Sequence, residues 1–142
     1  MKRKILVAIS AAVAVILILT VWLVWMKGDQ SVRELAGSWM LYEGGSIAPD
    51  VLTFNEDGTG AAYTLSDAYQ DNSMTDVQLP QNYLEHAQTF RWSADSGMLT
   101  LAYEDGETDS YEMSFYTMAD VRMLDLRDGI FGGGYVPAEI VD

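Results

Sequence analysis

The chain has 142 residues, with 8 Lys and Arg against 21 Asp and Glu and no cysteine. A net charge of −13 sets the surface against nucleic acid, whose phosphates would be repelled. Zero cysteines exclude disulfides, thiolate metal sites and cysteine nucleophiles together, so stability has to come from packing.

The first element is apolar. The 22 positions Ile5–Met26 hold no charge, glycine or proline, and 13 of them are Ile, Leu or Val. At about 1.5 Å per residue a helix of this run reaches about 33 Å, enough for a hydrocarbon core near 30 Å. Lys2, Arg3 and Lys4 precede it, as they would in a signal or an anchor. A cleavable signal ends on small residues after a shorter apolar stretch, whereas this run ends in Val21-Trp22-Leu23-Val24-Trp25-Met26. The expectation is an uncleaved signal anchor over 1–27, with Trp22 and Trp25 at the outer headgroups. By the positive-inside rule the N-terminus is cytoplasmic, and the domain over 28–142 is extracytoplasmic at the cell membrane. That domain holds 4 Arg against 21 acids, a formal charge of −17.

Ser31-Val32-Arg33-Glu34 fits a capping box that opens one helical turn, ended by Gly37. From Trp39 the apolar residues recur with period two, which predicts strands at about Ser38–Tyr42, Val51–Asn55, Gly60–Leu65, Gln88–Ser93, Met98–Tyr103, Ser110–Thr117 and Val121–Leu126. An eighth, over Gly134–Val136, is very short. The expected inward rows are Leu52 and Phe54, Tyr63 and Leu65, Phe90 and Trp92, Leu99, Leu101 and Tyr103, and Tyr111, Met113 and Phe115. Glycines after turn-forming residues, as in Asn55-Glu56-Asp57-Gly58 and Ala94-Asp95-Ser96-Gly97, predict tight hairpins. Consecutive hairpins make a meander, and seven or eight strands with one apolar face close most economically into an up-and-down antiparallel β-barrel. A β-sandwich is the alternative. The fold class expected is therefore all-β, preceded by one transmembrane helix.

Ser66–Ala87 interrupts the hairpin spacing with polar, acidic and aromatic residues. It reads as a long surface insertion or a contact loop, with Pro80 opening a short helix through Tyr83 and Leu84.

Leu35-Ala36-Gly37-Ser38-Trp39 places Gly-x-Trp at the first strand after a short helix, and this resembles the opening of the lipocalin and wider calycin group. Leu52-Thr53-Phe54-Asn55-Glu56-Asp57-Gly58 and Phe90-Arg91-Trp92-Ser93 through Leu101 are similar to bacterial, membrane-anchored lipocalin-like domains. The resemblance covers about Leu35–Gly129 apart from the insertion. It implies a small barrel exported to the cell envelope, and it brings no catalytic site. It also implies that Trp39 packs across the closed end beneath an arginine from a late strand, for which Arg122 and Arg127 are the candidates.

Chemistry is sparse. His86 is the single histidine and has no nucleophile motif beside it. The acids Asp67, Asp71 and Asp76, and Asp105, Glu107 and Asp109, do not fit the helix–loop–helix calcium pattern. No phosphate-binding glycine loop is present. The expectation is a non-enzymatic protein without cofactor or metal. Its first reading is a membrane-anchored binding module for an apolar small molecule or an envelope component, with Tyr63, Phe90, Trp92, Tyr111 and Phe115 as the ligand wall. The second is an accessory protein whose side-chain-filled barrel contacts another envelope protein through its acidic surface or the 66–87 loop.

Overall fold

The computed structural model describes residues 10–21, 32–44, 49–71, 73–129 and 131–142. The chain divides into two compact units, Met1–Glu34 and Leu35–Asp142.

In the first unit, residues 10–21 are helical and their side chains are exposed. The Thr20 hydroxyl donates to the Ile16 carbonyl at 2.8 Å, the usual resting place for a helical threonine. Among the described residues no helix is long and apolar enough to cross a membrane. The remainder of the apolar run, including Trp22 and Trp25, lies outside the described residues, as does Ser31. A helical turn at 32–35 stands where the capping sequence places it.

The second unit is one nine-stranded sheet. In chain order the strands are β1 Gly37–Gly44, β2 Val51–Phe54, β3 Thr59–Leu65, β4 Val77–Pro80, β5 Leu84–Asp95, β6 Met98–Tyr103, β7 Thr108–Met118, β8 Val121–Asp128 and β9 Phe131–Val141. They lie in the order β1-β2-β3-β5-β6-β7-β8-β9, all antiparallel, and β1 pairs with β9, so the ladder returns to its start as a ring. β4 is added in parallel alongside the C-terminal part of β9.

Local chemistry makes the hairpins. In the β2–β3 turn, Asp57 Oδ1 accepts hydrogen bonds from the Thr59 amide at 2.9 Å and the Thr59 hydroxyl at 2.6 Å. The β5–β6 turn has Ser96 and Gly97 at φ +51° and +79°, the paired left-handed conformation that matches strand twist in a two-residue loop.

The register sorts side chains between two faces. Trp39 on β1 and Phe115 on β7 lie on strands that are not neighbours, yet their rings stand 6.0 Å apart, so they meet across the ring and mark its interior. Following the pairs from them, Leu52, Phe54, Phe90, Trp92, Leu99, Leu101, Tyr111, Leu124 and Tyr135 share that face, and all are buried.

The opposite face carries a second core. Met40, Val51, Met123 and Val136 alternate with the interior set and pack with Val77 and Leu79 of β4. Leu65, Tyr69, Met74 and Leu84 pack against the same cluster. Four expectations are corrected by it. Tyr63 and Leu65 point outward, since Tyr63 pairs with Val51. The 66–87 segment is not a loose insertion: it carries β4 and the first four residues of β5, and only Gln81–Tyr83 between them is helical, as one 3-10 turn. Leu79 and Val77 are 0% and 2% exposed, which makes this segment part of the fold. The last strand runs for 11 residues instead of three.

The glycines of β9 explain that length. A Cβ at Gly133 would stand 2.7 Å from Leu41 Cδ1, and one at Gly134 would stand 2.6 Å from the Tyr116 hydroxyl. Side chains of neighbouring strands lie over a bare backbone, so the glycine run is a covered strand. The β8–β9 pairing ends at Leu124↔Tyr135, two residues before Pro137, which has no N–H to extend a ladder.

Candidate functional site

Two regions hold the residues singled out by sequence. In the interior, Phe54 is met edge-on by Phe90 at 5.8 Å and by Trp92 at 5.4 Å, and Phe90 in turn by Tyr103 at 5.8 Å. These offset contacts add to the area that the rings bury. The Trp92 indole N–H is shared between the Asn55 and Thr59 carbonyls at 3.2 and 3.1 Å, which ties the ring to the β2–β3 hairpin. Phe90, Trp92 and Tyr111 of the expected ligand wall are thus brought together on the interior face with Phe115, whereas Tyr63 stands on the other face.

At the end where Leu35 enters β1, the Trp39 indole N–H donates to the Leu35 carbonyl at 2.9 Å. The Arg122 guanidinium lies 4.6 Å over the Phe115 ring, beside Trp39. Arg127 is elsewhere, paired with Asp125 at 2.8 Å. Of the two arginine candidates, Arg122 is the one near Trp39, and it reaches it through Phe115.

The opposite end holds the β6–β7 turn, Pro49 and Asp50 before β2, and Asp128 and Gly129 at the close of β8. Glu104, Asp105, Glu107, Asp109 and Asp128 are exposed there, with Arg127 as the cation among these described residues. Beside the β6–β7 turn opens a cavity of 260 Å³ lined by Asp105, Glu107 and Asp109, by Tyr63, Tyr103 and Tyr111, and by His86. The register builds it: Asp109 pairs with Leu101 and Tyr111 with Leu99, so a carboxylate and a phenol follow each other on the inner face of β7. His86 reaches it through a bulge in β5, where the β3–β5 pairing slips and His86 takes φ +52°.

Burial raises the phenols. Tyr111 is pushed up to about 12 by desolvation, with the Asp109 and Asp128 charges adding to it. Tyr103 is raised further, chiefly by burial and then by the neighbouring Tyr111 and Asp109. Tyr135, fully buried, is raised by the same cause, and its hydroxyl donates to the Pro49 carbonyl at 2.8 Å. All three phenols are held in the protonated form, and that of Tyr135 serves as a donor. Among the described residues no three His, Asp or Glu groups converge closely enough to hold a metal ion. A larger groove of 710 Å³ is lined by Tyr63 and Phe90 of the expected ligand wall together with Thr53, Ala61, Arg91 and Ala102.

The acid spacing at Asp105, Glu107 and Asp109 was visible in the sequence. The phenol walls were not, because they depend on which strands lie side by side. The chain matches no protein-family model, no curated protein and no solved structure.

Proposed function

We propose that this chain is a non-enzymatic accessory protein of the cell envelope, a lipocalin-like β-barrel filled by its own side chains that meets a protein partner through its acidic end. Ile5–Met26 would anchor it as a single span, with the N-terminus cytoplasmic and the barrel outside. The observation that carries this reading is the mutual covering of Phe54, Phe90 and Trp92. Phe90 and Trp92, two of the rings expected to line a ligand chamber, are both packed edge-on against Phe54. This favours the filled barrel over a module for an apolar small molecule. Closure of the pairing through β1 and β9, the pair Trp39–Phe115 beneath Arg122, and the Gly-x-Trp opening support the resemblance to the lipocalin group.

Native mass spectrometry of the full chain released from detergent micelles tests the reading. The expected result is the bare chain mass, together with no uptake of an apolar fluorophore. A discrete extra mass that is lost on unfolding would overturn it in favour of an apolar-ligand module. For the anchor, protease added to intact spheroplasts should remove the barrel, and protection of the barrel would reverse the topology.

A further inference from the structure

We infer that residues 73–84 form a strap latched over the outer face of the ring by methionine thioethers, and that oxygen transfer from hydrogen peroxide to Met74 and Met118 unlatches it. The latch is built on the second core and does not rest on the acidic-end contact.

The strap is held by little besides its apolar contacts. Among the described strands β4 pairs with β9 alone, over the four positions from Val77↔Ala138 to Pro80↔Val141, and Pro80 has no N–H to lengthen the ladder. Asp76 enters β4 at φ +52°, a left-handed conformation that residues with a Cβ take only occasionally. Tyr69 meets Tyr83 edge-on at 5.6 Å, and its buried hydroxyl finds no hydrogen-bond partner among the described residues. What keeps the strap down is therefore the second core, where its Val77 and Leu79 are buried with Met40, Val51, Met123 and Val136. Four of the chain's eight methionines belong to that core. Met40 and Met123 are buried within it, whereas Met74 on the strap and Met118 at the end of β7 pack against it only partly buried, so solvent reaches these two more readily. In the oxidation the sulfur lone pair bonds to a peroxide oxygen, the O–O bond breaks, and the displaced hydroxide takes the remaining proton and leaves as water. Sulfur loses two electrons, the peroxide gains them, and the thioether becomes a sulfoxide. The product sets a polar S=O against six buried side chains that carry no hydrogen-bond donor. Burial of such an atom is penalised, and it regains its hydrogen bonds in water when the strap lifts.

The full chain in non-ionic detergent is treated with hydrogen peroxide, and the sulfoxides are located by peptide mass spectrometry. Hydrogen exchange of the amides at 77–79 is then compared with exchange at 99–101 in β6. Met74 and Met118 should oxidise before Met40 and Met123. Once they have, exchange at 77–79 should rise about tenfold while 99–101 stays unchanged, and methionine sulfoxide reductases should restore the slow rate. The double variant Met74→Leu with Met118→Leu keeps volume and apolarity, and should exchange at the slow rate before and after peroxide. Met98→Leu, which removes a methionine 41% exposed and outside the second core, should open on oxidation as the native chain does. Oxidation of Met40 and Met123 as early as Met74 and Met118, equal acceleration in the double variant, or acceleration shared by 99–101 overturns the latch. Unchanged exchange after oxidation overturns it too, as does slower exchange, the result if the Tyr69 hydroxyl donates to a sulfoxide oxygen.

Discussion

The Arg122 guanidinium carbon lies 4.6 Å from the centre of the Phe115 ring, which itself stands 6.0 Å from the indole of Trp39. Strands β1, β7 and β8 are tied at one end of the ring by this stack. Arg122→Ala removes a cation from an aromatic face and should cost about 1 kcal/mol. Phe115→Ala removes the ring that both partners share and should cost about 3 kcal/mol. Denaturant unfolding of the full chain checks both, and equal costs would mean that Arg122 does more than cover the ring.

Gly60 sits under Phe90. A Cβ there would stand 2.6 and 2.7 Å from the Cε2 and Cζ atoms of Phe90 and would run into the Thr53 carbonyl oxygen. Gly60→Ala should therefore destabilise by about 2 kcal/mol. Adding Phe90→Leu should relieve only part of that loss, because the carbonyl of Thr53 remains. Thermal unfolding of the single and double variants reads this directly.

Leu79 is fully buried in a four-residue strand. Leu79→Ala should cost about 3 kcal/mol, whereas Gln78→Ala, at the exposed neighbouring position, should stay within about 0.5 kcal/mol. Equal tolerance at the two positions would mean that the segment behaves as a loose insertion after all.

Tyr111 gives an alkaline limb to the stability. Its pKa rises on folding from the ordinary 10 to about 12, so its contribution is whole below pH 10 and is lost as the pH climbs through the folded value. The displacement corresponds to on the order of 2 kcal/mol. Tyr103 and Tyr135 are raised in the same direction. Tyr111→Phe should therefore keep more of its stability between pH 10 and 12 than the native chain does. Denaturant midpoints across the alkaline range, read beside tyrosinate absorbance, test this.

Asp57 works in the other direction. The Thr59 hydroxyl and amide hold its carboxyl below the usual range, so its contribution is present above the unfolded carboxyl pKa and is lost as pH falls through the folded one. Asp57→Ala should flatten the acid limb of the stability profile by a small amount, as suits an exposed turn. An unchanged acid limb would assign it to other carboxylates.

Period-two alternation and glycine-bearing turns were enough, from sequence, to place seven of the strands and to put Phe90 with Trp92 and Leu99 with Leu101 on one side. Each such strand has one covered and one wetter face, and that asymmetry writes itself into the residue order. The second core left no such mark. In β9, Gly133, Gly134, Tyr135 and Val136 are all buried, and in β2 Val51 and Leu52 are buried side by side. A strand covered on both faces loses its alternation, so β9 read as a three-residue strand over Gly134–Val136, and β4, four residues with Gln78 exposed between Val77 and Leu79, is too short to show a period and read as part of the insertion. Which face Tyr63 takes, which arginine lies near Trp39, and which phenols wall the acidic cavity depend on pairings between distant strands. Only the closed tertiary register decides those, because a shift of one residue in any pair would turn every side chain to the other face.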